Sequence, residues 1–370
     1  MCCARAESSG LVKKRCRLTD AGDGRPSSMI LSVKRAVIAA AFCAPLLFAP
    51  LAHTADKNDK NKIEKPLAGP RATILRETPL YIAPDTSTQK VDRVQEGREL
   101  VIAETSGPWV RVFANTDIEE VSEKDAPVFG REAAPPPISG WMEARGVVRD
   151  ITPDGDKVLV GEAATMEILA EDARGPRNAG QTARLLYRRV VEFFPQSPLA
   201  AEAAWRAADI RWQFQKADAA RLPSAKERES YLRLQPDEDE LKKVIKNYPG
   251  SKEAEYAAFE MLDNKLCGDW QGQPKCPEKE AGYYEKFASE HSNGPRTAQA
   301  LYQAAYRYAV LGDMYAADGN DKKSGDARNR ARELTKTLAD KFPATDYATR
   351  AASLVYKFDQ GIAIYGSDRD

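Results

Sequence analysis

Histidine is almost missing from this chain: among its 370 residues the two are His53 and His291. A metal centre built on several imidazoles, or a Ser-His-Asp triad, therefore has little material to draw on. An excess of either charge is missing as well, with 55 Lys and Arg against 55 Asp and Glu. Nucleic-acid binders rely on a basic excess or patch, so that class is disfavoured. Long hydrophobic runs are scarce. The one uncharged apolar stretch, 36–52, is interrupted by Pro45 and Pro50. It stands at the short edge of the roughly 17–25 residues that a membrane span needs. From residue 56 onward no GxxxxGK(S/T) or GxGxxG phosphate loop occurs. Cysteine is concentrated at the start: Cys2, Cys3, Cys16 and Cys43 come early, which leaves Cys267 and Cys276 for the rest.

What is present begins with an export pattern. Met29-Ile-Leu-Ser-Val-Lys-Arg gives a short basic start, the apolar run follows, and small residues precede the charged stretch from Asp56. This reads as a signal peptide over 29–55 with cleavage near Ala55. Residues 1–28 are polar and basic, and read as an extension ahead of the functional start at Met29. Phe42 before Cys43 argues against a lipid-attachment site, which wants a small residue there. Losing residues 1–55 removes eight basic and three acidic residues, leaving 47 against 52. The expected location is the periplasm.

In an oxidising compartment Cys267 and Cys276, bracketing a turn-rich loop, read as a disulfide. Closing such a loop contributes about 2–3 kcal/mol by restricting the unfolded chain. The rival reading, a redox or metal site, lacks a CxxC pair and a nearby histidine.

The remaining chain divides by period. Residues 56–70 read as a linker. Residues 71–150 alternate apolar and polar positions in short runs between turn formers, as in Lys90–Val94 and Trp109–Phe113, and read as a small β-barrel. Within it, 114–139 is an acidic, proline-ending loop. Residues 151–360 have helical period, and 361–370 form a tail. Leu186, Val190 and Phe194 fall on one helical face, which Pro195 ends. That unit recurs: Phe194-Pro-Gln-Ser, Tyr248-Pro-Gly-Ser, His291-Ser-Asn-Gly and Phe342-Pro-Ala-Thr each precede an alanine-rich stretch. The expected fold class is thus multidomain, an all-β barrel followed by an all-α repeat array.

Leu80-Tyr81, Pro84, Gly97, Leu100-Val101-Ile102, Gly107-Pro108-Trp109-Val110-Arg111-Val112 and Gly140-Trp141-Met142 together resemble a bacterial SH3-like (SH3b) domain. That resemblance implies a non-catalytic module contacting peptidoglycan or peptides. The aromatic-proline junctions and alanine-rich helices resemble tetratricopeptide repeats. They are similar to those of outer-membrane assembly lipoproteins of the BamD type and Tol-Pal-associated periplasmic repeat proteins. The junctions are spaced more widely than the 34-residue tetratricopeptide length, and the BamD-type lipobox cysteine is missing.

Few residues carry candidate chemistry. His291 occupies the junction slot filled elsewhere by Phe194, Tyr248 and Phe342, and reads as a packing residue. Asp237–Glu240 lacks the ligand spacing of a calcium loop and reads as an acidic helix start. No metal, cofactor or catalytic residue is assigned. Tyr81, Trp109 and Trp141 are candidates for a peptide or glycan groove, and Trp270, inside the disulfide loop, for an exposed aromatic contact. The expectation is a non-enzymatic envelope scaffold, with envelope protein or peptidoglycan as partner, no nucleic acid and no membrane span in the processed chain. Two weak contacts would reinforce one another where their connection spans both sites. The alternatives are an outer-membrane assembly factor and a regulator of a peptidoglycan hydrolase.

Overall fold

A computed structural model describes residues 69–117 and 138–365. The expected extension, the signal peptide, most of the linker, most of the acidic loop and half of the tail lie outside the described residues.

Among the described residues seven strands come first: β1 (Arg71–Ile74), β2 (Thr78–Tyr81), β3 (Lys90–Val94), β4 (Glu99–Ser106), β5 (Trp109–Ala114), β6 (Ile138–Glu143) and β7 (Val147–Arg149). They form one antiparallel sheet in the order β3-β2-β6-β5-β4-β1-β7. Alternation does its expected work in β5, where Val110, Val112 and Ala114 point into the core with Ile74, Leu80, Leu100 and Met142. Each such aliphatic side chain contributes about 1.5–3 kcal/mol when fully buried. In β3 the same alternation leads to no burial beyond Val94, and Val91 is exposed. The reason is position. β3 ends the sheet and pairs with β2, so nothing covers its other apolar residue.

Nine α-helices follow among the described residues: α1 (Gly155–Glu171), α2 (Ala179–Phe193), α3 (Ala200–Ala220), α4 (Asp239–Asn247), α5 (Lys252–Glu260), α6 (Lys275–Glu290), α7 (Thr297–Ala317), α8 (Asp321–Lys341) and α9 (Asp346–Asp359). The four junction residues cap α2, α4, α6 and α8 with nearly one backbone geometry. Their φ and ψ are −128° and 56° at Phe194, −127° and 53° at Tyr248, −120° and 51° at His291, and −130° and 46° at Phe342. Each N–H donates to the carbonyl four residues back, and each carbonyl accepts from the N–H three residues on. A following proline disfavours helix at the residue before it, which explains three of the four. His291 precedes Ser292 and still adopts the same turn, its ring packed 4.4 Å from Phe287. Hairpin geometry is therefore a property of the repeat and not of proline alone.

The sheet and the helices pack directly, with no linker separating them. Val148 of β7 joins Leu159, Leu186 and Val190 in one core, with Leu75 beside it. Gly97 turns with φ of 76°, and a Cβ there would meet Leu185 Cβ at 3.0 Å. Beneath this contact lies Arg189 of α2, 1% exposed at its side chain, which donates to the Gly97 carbonyl at 3.2 Å and to Asp117 Oδ2 at 2.5 Å. It also pairs with Glu192 and lies 4.0 Å from Glu99, which Arg71 and Thr116 hold in turn.

Cys267 and Cys276 lie with their sulfurs 2.08 Å apart, bonding distance. Their loop closes the far end of the array. The Tyr365 hydroxyl accepts from the Gly272 N–H at 2.6 Å, its ring stacks on Trp270 at 6.3 Å, and Asp313 accepts from the Ile364 N–H at 2.7 Å.

Candidate binding sites

On the sheet, the strand period puts Trp109, Arg111, Trp141 and Glu143 on the face away from Val110 and Met142. Trp141 stands opposite both Tyr81 and Arg111 in the ladder. A Cβ on neighbouring Gly140 would come within 2.9 Å of Leu80 Cβ, so β2 and β6 approach closely there. Tyr81 and Trp109 meet edge to face, 5.7 Å apart at 85°. Beside Tyr81 lies a cleft of about 260 Å³ walled by Arg76, Glu77, Pro79, Glu143 and Arg145. Glu77 is engaged by Arg93 at 2.8 Å. Arg76 and Arg145 are exposed and make no ion pair among the described residues. The expected trio thus divides. Tyr81 lines the cleft, Trp109 packs on Tyr81, and Trp141 is Tyr81's cross-strand neighbour.

Trp270 is half-buried, which corrects the expectation of an exposed ring. Its indole N–H donates to Glu280 Oε1 at 3.2 Å. Arg307 sits 5.6 Å above its ring and donates to Glu280 Oε2 at 2.7 Å. Glu280, 1% exposed, also accepts from the Cys267 N–H at 2.8 Å. Trp270 therefore anchors the disulfide loop to α6 and α7.

The acidic run 237–240 is engaged as well. Arg211 reaches Asp237 and Glu240 at 3.4 and 3.0 Å, Arg184 reaches Glu240 at 2.8 Å, and Asn264 donates to Glu238 at 2.9 Å. It ties α4 to α2 and α3.

A second cleft, of about 310 Å³, lies on the array and was not among the sequence candidates. Glu202, Trp205 and Arg206 of α3, Lys252, Glu253 and Tyr256 of α5, and Pro295 and Arg296 before α7 line it. Arg206 sits 5.5 Å over Trp205, Trp205 lies 4.8 Å from Tyr256, and Arg296 sits 5.2 Å over Tyr256. This is an Arg-Trp-Tyr-Arg stack spanning three successive hairpins. Its register is regular. Trp205, Tyr256 and Arg296 stand eleven, eight and five residues after their junction residues Phe194, Tyr248 and His291. Each helix contributes one turn nearer its start. A separate cluster lies further along the array, where Arg350 covers Tyr302 at 4.6 Å and Tyr302 lies 5.8 Å from Tyr347.

The electrostatics of the two arginines differ. Arg206 is held by Glu167 at 3.1 Å and Glu202 at 3.4 Å. Arg296 donates to Gln299 at 2.9 Å and makes no ion pair among the described residues. The Trp205 indole N–H and the Nε atoms of Arg206 and Arg296 are buried without an acceptor. One turn beyond Tyr256, burial pushes the Glu260 carboxyl up to about 7, and the Asp209 and Asp263 charges add to that. Where the sheet meets α1, burial raises Glu96 to about 7 in the same way, with Glu162 contributing.

No family model and no curated protein matches this chain. Among solved structures, a DHF119 filament aligns with 57% of this chain and 96% of its own, at 19% identity and a TM-score of 0.20. A DHF79 filament aligns with 54% of this chain and 96% of its own, at 18% identity and a TM-score of 0.19. Overlap at that level carries no statement about fold or function.

Proposed function

We propose that this chain is a non-enzymatic, exported scaffold of the cell envelope. An SH3-like (SH3b) barrel and a tetratricopeptide-like array each bind a polypeptide. The observation that carries this reading is the Arg206-Trp205-Tyr256-Arg296 stack. Aromatic and arginine side chains are the residues that dominate protein recognition energetics. Here they come from three hairpins at one-turn offsets, which suits an extended segment laid across a repeat surface. The guanidinium groups of Arg206, 38% exposed at its side chain, and Arg296 suit what a peptide offers, carbonyl and carboxylate oxygens.

The sheet cleft supports the second half of the reading. Arg76 and Arg145, beside the Tyr81 ring, suit a carboxylate-bearing peptide of cell-wall or protein origin. The pairing of Cys267 with Cys276 supports export.

Crosslinking in living cells tests the reading. The unaltered chain should capture one or a few envelope polypeptides; the double variant Trp205→Ala with Tyr256→Ala should lose those held by the array, and Tyr81→Ala should keep those and lose any held by the sheet cleft. A chain that captures none, or a double variant that captures the same set, contradicts it.

A further inference from the structure

Between α3 and α4 the chain gathers apolar surface where a folded protein normally hides it. Tyr231, Leu232 and Leu234 are 77%, 50% and 44% exposed, three of the ten large apolar side chains exposed among the described residues. Clustered exposed apolar side chains mark interaction sites, whereas single ones need no explanation.

The segment is held in place. A single 3-10 turn, Ser230–Leu232, is closed by Leu232 N–H donating to the Glu229 carbonyl at 3.1 Å and Arg233 N–H to that of Ser230 at 3.2 Å. Gly268 N–H donates to the Arg228 carbonyl at 2.8 Å, Asn264 to that of Pro236 at 3.0 Å, and Arg233 to that of Leu266. Asp237 N–H donates to Gln215 at 2.9 Å. The segment is thus tied to α3 and to the disulfide-loop region, with Tyr231, Leu232 and Leu234 left exposed.

Charge surrounds the tip. Residues 221–235 carry Arg221, Lys226, Arg228 and Arg233 against Glu227 and Glu229. Lys226 is exposed and makes no ion pair among the described residues. Exposed Lys265 stands in the neighbouring turn Asp263–Lys265.

We propose that this turn docks the protein on an anionic lipid surface. Tyr231, Leu232 and Leu234 enter the headgroup boundary, and Lys226 and Lys265 face lipid phosphates, whereas Arg221 and Arg228 are held by Asp218 at 3.6 Å and Glu229 at 3.2 Å. An exposed apolar tip with exposed lysines nearby in sequence and in the adjoining turn, and with tyrosine as its most exposed member, fits a soft charged interface. Small-molecule ligands are taken by concave sites instead, and both clefts described above are built from other residues. The docking does not depend on either cleft being occupied.

Vesicles of phosphatidylglycerol and phosphatidylethanolamine in equal parts, compared with pure phosphatidylcholine, provide the probe. Hydrogen exchange read over residues 230–235 reports this turn alone. The anionic vesicles should slow exchange there, and phosphatidylcholine should do so weakly. Tyr231→Ser, Leu232→Ser and Leu234→Ser combined should remove the protection and weaken the turn-dependent binding tenfold or more, about the value of one buried leucine at least. Lys226→Ala should weaken it about fivefold on the anionic vesicles alone. All four side chains are exposed, so the thermal midpoints should stay put. Unchanged exchange at 230–235 in the presence of the anionic vesicles overturns the proposal. So does a triple variant that is protected like the parent. Self-association or peptide capture that the triple variant abolishes, with no lipid protection, assigns the turn to a protein interface and also overturns it.

Discussion

The cleft on the sheet and the cleft on the array both set arginines beside aromatic rings, but they assemble them differently. On the sheet, Tyr81, Glu143 and Arg145 come from adjacent strands and the turn after β6, and strand pairing alone brings them together. On the array, Trp205, Tyr256 and Arg296 come from three hairpins and meet only when repeats stack. The first cleft is a local product of the ladder. The second depends on every junction turn holding its angle. A binding surface spread over repeats should therefore be the more sensitive of the two to loss of global order.

The first way to break the comparison is through the element the two regions share. Arg189 lies under the contact between sheet and array, with Asp117, Glu192 and the Gly97 carbonyl as partners. Replacing it with alanine leaves Asp117, 4% exposed at its side chain, without its closest cation. Breaking a buried pair in this way costs about 3–5 kcal/mol. Denaturant titration should show that loss. Arg189→Met should cost less than Arg189→Ala, because it keeps the packing volume.

A smaller effect acts on the array alone. Cys267→Ser with Cys276→Ser should cost about 2–3 kcal/mol, with the exposure of Trp270 and Tyr365 rising at the closed end. Fluorescence of Trp270 under reducing conditions follows this. The sheet cleft should bind as before.

The third contrast is in recognition. Arg296→Met keeps the stacking volume over Tyr256 and removes the guanidinium, which makes no ion pair among the described residues. Partner affinity on the array should fall about thirtyfold, the equivalent of about 2 kcal/mol for an arginine at the centre of an interface. Melting should change little. Arg145→Met should leave that affinity untouched.

The smallest effect is a pH dependence. Glu260 and Glu96 each titrate near 7 when folded, against an ordinary 4.5. Each binds its proton more tightly in the folded protein than in the unfolded chain. Stability from these groups is thus full below about 4.5 and declines as pH rises through about 7. Glu260→Gln and Glu96→Gln should each flatten the thermal midpoint over that window, Glu260→Gln on the array side and Glu96→Gln at the sheet junction.

The sequence carried the order of sheet and helices, the four junctions, and the cysteine pair, because each is a local signal. Alternation, an aromatic before proline, and two cysteines in one short loop can be read within a dozen residues. The array cleft was hidden for a physical reason. Trp205, Tyr256 and Arg296 occupy different offsets from their junctions, so no single repeat displays the stack. The signal was nonetheless present, since aligning the junctions and stepping back one turn per repeat aligns the three. Arg184 and Arg189 were hidden differently. In Ala183-Arg-Leu-Leu-Tyr-Arg-Arg they look like the polar side of an amphipathic helix, but α4 and the sheet cover them. Trp270 misled in the same way, because a tryptophan in a turn-rich loop looks exposed until the C-terminal residues fold over it.

The stack across the three hairpins is the centre of the account, and in-cell photocrosslinking at its position 256 tests it most directly. A photoreactive phenylalanine at Tyr256 should crosslink to an envelope polypeptide, and Arg296→Met should diminish that product. A position-256 probe that yields no polypeptide adduct, or one indifferent to Arg296, would contradict the role assigned to the cleft.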